Sequence, residues 1–239
     1  MTNRTAINSP STEERVTLVL FDCDGTLVDS QHVIVDAMQA AFANHGLAEP
    51  PPEAVRRVVG LSLHQSMAAL APETTVEDQD ILTERYKQAF IDQRAAGRSQ
   101  GLLYPGAAES IRRLAEQGHV LGVATGKSRR GLAATLERFA LQDYFATLQT
   151  ADDAPSKPHP GMVERAIAET GATPTATVVI GDTTFDVEMA VAAGATALGV
   201  SWGYHEVSDL HAAGARCVLD DFDEVDQAVA SALEVEAWA

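Results

Sequence analysis

Cysteine is almost missing from this chain: Cys23 and Cys217 are its only two in 239 residues. That excludes a disulfide-stapled scaffold and fits a reducing compartment. Positive charge is scarce as well, with 17 Lys and Arg against 34 Asp and Glu, a formal net charge of −17. Such a balance argues against nonspecific binding to nucleic acid or to an anionic membrane surface, although a locally basic pocket could still hold an anionic metabolite. Long apolar runs are lacking too. Met1 to Glu14 is polar and reads as neither a signal peptide nor an anchor, so a cytoplasmic location is the expectation. There is no internal repeat and no low-complexity tract.

What is present is the composition of a soluble globular protein, 46% hydrophobic and 21% charged. The length predicts a main domain carrying a smaller insertion. Five short apolar runs, Thr17 to Phe21, His119 to Ala124, Tyr144 to Gln149, Ala176 to Ile180 and Ala195 to Val200, alternate with helical patterns. This is the signature of an α/β fold, a doubly wound parallel sheet of Rossmann-like type. Between the first and second runs the chain is too long for one crossover. Val33 to Gly46 and Val76 to Ala96 read as helices there, punctuated by Pro50-Pro51-Pro52 and Ala71-Pro72. The expected organisation is a flexible N-terminal tail over 1–15, a core over 16–30 and 99–239, and an inserted helical cap over 31–98. Within the core, Pro105-Gly106 leads into a helix over Ala107 to Gln117 that stops at Gly118.

Four motifs stand at predicted strand ends, where ligands of such sheets bind. The first is Asp22-Cys23-Asp24-Gly25-Thr26. Strands alternate their side chains, so Asp22 and Asp24 tend toward one side and need a cation or a shared proton. A carboxylate can attack phosphorus, because the acyl phosphate so formed is itself hydrolysed. A phosphate-transfer reading makes Asp22 the nucleophile and Asp24 a general acid and then base; the alternative is a turn that merely caps the backbone. The second is Thr125 before Gly126-Lys127-Ser128, whose hydroxyl and neighbouring N–H groups suit phosphoryl oxygens. Thr125 could equally be a helix N-cap, and Lys127 is expected in solvent or behind the site. Third, in Ser156-Lys157-Pro158-His159-Pro160, prolines stiffen the chain and aim Lys157 at the site, while His159 reads as structural. Fourth, Gly181-Asp182-Thr183-Thr184-Phe185-Asp186 sets two carboxylates one helical turn apart, hard oxygen ligands that favour Mg²⁺ unless Asp182 serves only as an N-cap.

In order and spacing these motifs resemble the haloacid dehalogenase superfamily of phosphohydrolases, from Thr17 to Val200. The insertion before Thr125 is similar to its helical C1 caps. The resemblance implies that Asp22 forms an aspartyl-phosphate, that Asp24 protonates the leaving group and then activates water, and that Thr125, Gly126 and Lys157 hold the phosphoryl group. It further implies Mg²⁺ on the Asp22 side chain, the Asp24 carbonyl and Asp182, with Asp186 supporting Lys157 or a metal-bound water. Dehalogenases of the superfamily lack the second aspartate, so Asp24 disfavours that reaction. Gly25-Thr26 stands where β-phosphoglucomutases typically carry Gly-Val, and Lys87, the sole lysine of the expected cap, has no neighbour that would ready it for a Schiff base.

Gly199 to His205 and Val55 to Ser62 look like segments of phosphoglycolate phosphatases, which makes Arg56 or Arg57 a candidate receiver of a substrate carboxylate, with His64 undecided. Cys23 is expected to point into the core. The function implied is Mg²⁺-dependent hydrolysis of a small phosphorylated metabolite such as 2-phosphoglycolate, by a monomer or homodimer. A phosphomutase or pyrophosphatase is the alternative within enzymes, and a non-catalytic module sensing a phosphorylated ligand is the alternative outside them.

Overall fold

The computed structural model describes residues 16–97 and 101–234. The expected tail over 1–15 and the boundary expected at 98/99 lie outside the described residues.

In chain order the elements are β1 (Leu18–Phe21), β2 (Val28–Asp29), α1 (Gln31–His45), α2 (Pro52–Arg56), α3 (Leu63–Leu70), α4 (Val76–Ala95), β3 (Leu102–Leu103) and α5 (Ala107–Glu116). There follow β4 (Val120–Thr125), α6 (Arg129–Arg138), β5 (Phe145–Thr150), α7 (Gly161–Thr170), β6 (Thr177–Gly181), α8 (Thr184–Ala192), β7 (Thr196–Val200), α9 (Val207–Ala213), β8 (Cys217–Leu219) and α10 (Val225–Glu234).

Six strands form one parallel sheet in the order β5-β4-β1-β6-β7-β8. Alternation along β1 explains its two coats. Val19 and Phe21 join a cluster with Ile111 and Leu114 of α5, Leu132 of α6 and Val225 of α10. Leu18 and Leu20 face the other way, against Met162 of α7, Val187 of α8 and Leu210 of α9. A strand covered on both faces has no polar position to spare, so its four residues are all fully buried apolar side chains. Cys23 joins the first of these clusters.

The doubly wound sheet agrees with the sequence reading, with one addition. β8 was not foreseen, because Cys217-Val218-Leu219 is too short for its periodicity to stand out between Arg216 and Asp220.

Helices α1 to α4 fall between β2 and β3, which pair antiparallel as a two-stranded ribbon. They bury a hydrophobic cluster of their own, including Ile34, Met38, Phe42, Val55, Met67 and Leu82. Two of them match the expected helices closely, α1 closing on Gly46 in the left-handed region as a C-cap glycine does. The short α2 and α3 were not foreseen.

Candidate active site

A cavity of about 650 Å³ lies where the carboxyl ends of β1 and β4 meet the α1–α4 layer. Asp22, Asp24, Thr125 and Gly126 line it from the sheet side. Both aspartates follow β1, the strand flanked by β4 and β6, and the backbone N–H of Asp22 still donates to Ile180 O at 2.9 Å.

Asp22 is buried beside Lys157, whose Nζ lies 2.9 Å from Asp22 Oδ1 and 2.5 Å from Asp186 Oδ1. The Asp22 pair is not aligned as a hydrogen bond, and among the described residues Asp22 Oδ2 has no hydrogen-bond partner. Lys157 is entirely buried. Burial works against its ammonium, but the Asp186 and Asp22 carboxylates more than offset this and hold it above the usual lysine range. Asp186 turns its other oxygen to the neighbouring Thr183, from whose backbone N–H and hydroxyl it accepts at 3.1 and 2.6 Å. Thr183 and Asp186 thus form the capping box of α8, and the N-cap role considered for Asp182 belongs to Thr183.

Asp182 instead accepts from Thr26 Oγ1 at 2.8 Å and from the Tyr204 backbone N–H at 2.9 Å. Gly25 permits this arrangement: its φ is +89°, and a Cβ there would come within 2.2 Å of Asp182 Oδ2. Asp22, Asp182 and Asp186 each bring a carboxylate oxygen within 4.8 Å of the others. Burial, only partly offset by Lys157, pushes the Asp22 carboxyl up to about 7. Burial and then the charges of Asp22 and Asp186 push Asp182 well above the carboxylate range. Four carboxylates, Asp24 included, face two ammonium groups, an excess of negative charge that a divalent cation would balance. An orphaned Asp22 oxygen beside Asp182 is the donor set a hard cation takes, so the residues fit Mg²⁺. Asp186 bonds Lys157 through one oxygen and Thr183 through the other.

Asp24 behaves differently. Its carboxylate accepts from Lys127 Nζ at 2.6 and 2.7 Å and from the Ser30 hydroxyl. Of the two places expected for Lys127, in solvent or behind the site, the structure rules out the first: its side chain is 15% exposed, and its ammonium closes on Asp24. Thr125, buried at the end of β4, is not an N-cap, since Ser128 caps α6. Arg56, expected to receive a substrate carboxylate, is half-buried and not among the residues lining the cavity, and Arg57 is exposed. His64 lines the cavity and pairs with Asp80 at 3.2 Å. Lys87 lines it too, but is half exposed and bound to Glu84 at 2.6 Å. His159 is structural, its Nδ1 accepting from the Gly161 N–H at the start of α7.

Thr26, Ser30 and Tyr204 support the site without having been singled out. Their roles depend on partners 156, 6 and 22 residues away, so no local pattern could have shown them.

Residues 19–200 match the family model of the haloacid dehalogenase-like hydrolases. A probable phosphatase, IndB, of Dickeya dadantii is 36% identical over 209 residues, covering 87% of this chain and 91% of that protein. A phosphoglycolate phosphatase of Pseudomonas putida is 29% identical, covering 85% and 76%. The crystal structure of a hydrolase from Pseudomonas syringae superposes with a TM-score of 0.80 at 27% identity, covering 90% and 98%. With the sheet, the strand-end carboxylates and these likenesses in agreement, the chain belongs to the haloacid dehalogenase-like hydrolases and is a phosphatase of that family.

Proposed function

We propose that the protein hydrolyses a small phosphorylated metabolite through a phosphoryl group carried on Asp22. The observation that supports this most is Asp22 itself: a buried carboxylate at the cavity wall, 2.9 Å from the Lys157 ammonium, with neither oxygen hydrogen-bonded among the described residues. One of its oxygens attacks phosphorus as the bond from phosphorus to the leaving oxygen breaks, the other being left for the metal, and Asp24 delivers a proton to the departing alkoxide. Asp24 then takes a proton from water as it attacks the acyl phosphate, releasing phosphate and restoring the Asp22 carboxylate. Thr125, Gly126 and Lys157 hold the phosphoryl oxygens.

Mg²⁺, held by Asp22, Asp182 and the Asp24 carbonyl, would supply positive charge to the phosphoryl oxygens. Lys127 holds Asp24 at rest and must turn to the substrate for Asp24 to meet the leaving oxygen.

The cap we propose over 31–98 would shut out bulk water during attack. Ser62 N–H donates to Ser156 Oγ at 2.6 Å, next to Lys157, and Gly126 packs against the Gly60 and Leu61 carbonyls. These contacts support a closed arrangement.

The test is phosphate release from a panel containing 2-phosphoglycolate, hexose phosphates and pyrophosphate, with Mg²⁺ or with EDTA. Mg²⁺-dependent release that vanishes in folded Asp22→Asn is expected; release that persists in that variant overturns the nucleophile.

A further inference from the structure

The cavity is large for the smallest candidate substrates. The nine non-hydrogen atoms of 2-phosphoglycolate, at about 30 Å³ each, would occupy less than half of its roughly 650 Å³. From the helical layer an apolar wall of Met38, Val59, Leu63, Tyr86, Phe90 and Ile91 lines the cavity, interrupted by polar side chains that include Ser66, Thr83 and Gln88. Tyr86 and Phe90 stand one helical turn apart on α4 with ring centroids 5.9 Å apart. The Phe90 ring lies 5.9 Å from Lys127 Nζ, which in turn is bonded to Asp24. The Lys127 ammonium thus stands between Asp24, the group we assign to protonate the leaving oxygen, and an aromatic ring of the helical layer.

Of the four Lys and Arg side chains that line the cavity among the described residues, three have partners at rest, and the one we take to turn, Lys127, goes to the phosphate end of the substrate. Lys87 is bound to Glu84, Lys127 to Asp24, and Arg138 lies over the Phe139 ring. Arg130 stands exposed in the first turn of α6. One hydroxyl on this side, Thr83 Oγ1, is buried without a hydrogen-bond partner among the described residues.

We propose that the alcohol portion of the substrate is a ring-bearing, largely apolar group of about ten to fifteen non-hydrogen atoms, seated against Tyr86 and Phe90. This rests on the phosphatase reading above and narrows its substrate class. A flat ring would bury apolar surface on α4 while its phosphate reaches Asp22. An acid as short as glycolate would leave that wall wet.

The experiment compares phosphomonoesters of primary alcohols, whose leaving oxygens differ little in basicity: ethyl phosphate, 2-phosphoglycolate and 2-phenylethyl phosphate, each with Mg²⁺. The expected result is a kcat/KM for 2-phenylethyl phosphate at least about tenfold above both others. The ratio of 2-phenylethyl to ethyl phosphate should fall toward one in Phe90→Ala. Phe90→Leu, which keeps apolar volume and removes the ring, carries the test if the alanine variant does not fold. Turnover of ethyl phosphate or 2-phosphoglycolate equal to or above that of 2-phenylethyl phosphate overturns the proposal and leaves the phosphatase reading standing. A ring preference that survives in both variants overturns the assignment to Phe90. Hydrolysis of none of the esters by folded, Mg²⁺-loaded protein overturns the phosphatase reading and this proposal with it.

Discussion

Two lysines serve the same site in opposite ways. Lys157 is sealed from solvent between two carboxylates and comes from a chain stiffened by Pro158 and Pro160. Lys127 follows Gly126 in the loop before α6, grips the single carboxylate of Asp24, keeps some exposure and touches the helical layer through Phe90. A cation caged on two sides cannot leave, and one held on a single side can be traded for a substrate. The first suits permanent neutralisation of the nucleophile's surroundings. The second suits a group that must release Asp24 when a phosphate arrives.

Breaking the caged side should have the largest effect. In Asp22→Asn, kcat should fall by about 10⁴-fold or more, measured as phosphate release, while the circular dichroism spectrum is unchanged. Lys157→Met leaves Asp22 and Asp186 buried without their cation, so activity should be lost together with about 3–5 kcal/mol of stability in urea unfolding. Lys127→Met should cost about ten- to a hundredfold in kcat/KM, shift the pH profile and destabilise less than Lys157→Met, because Asp24 keeps the Ser30 hydroxyl. If the two lysine variants lose stability equally, the contrast between caged and tradeable cations fails.

The same contrast gives a pH dependence. Folded Asp22 titrates near 7 against an ordinary value of 3.8, so in the metal-free protein the folded state binds more protons than the unfolded one between those values. The contribution of Asp22 to stability should therefore fall as pH rises from about 4 to about 7 and level off above. Asp22→Asn should flatten this slope in thermal unfolding. Mg²⁺ should raise the melting temperature of the wild type most at the alkaline end, where it no longer competes with protons, and should do little for Asp182→Asn.

The smallest expected effect lies at the seam with the helical layer. A Cβ on Gly126 would come within 2.4 Å of Leu61 O, so Gly126→Ala should raise KM by a few-fold to tenfold with little change in stability, read from steady-state kinetics beside thermal melts.

Much of this was legible in the linear chain because buried parallel strands are uniform apolar runs. The strands now numbered β1, β4, β5, β6 and β7 were placed within a residue or two; Asp22, Asp24, Thr125 and Asp182 stand at or just beyond strand ends, Lys157 in the loop before α7 and Asp186 in the first turn of α8. Directions of long side chains were not legible. Lys127 follows a glycine in a loop, and nothing adjacent tells whether four methylenes point outward or toward Asp24. Arg56 failed for the same reason: a short helix fixes where its Cα lies, and the neighbouring helices decide which way the guanidinium leaves. Thr26 and Tyr204 steady Asp182 only because folding brings the loops after β1 and β7 to the end of β6.

The position of β1 in the sheet has a consequence for time rather than for charge. Its amides are bonded to β4 and β6 on either side, and the Asp22 N–H is tied to Ile180 O. Deuterium can reach such amides only when the sheet itself opens. The residue proposed to form and break a covalent bond with every turnover thus follows an interior strand whose amides should exchange only with opening of the sheet.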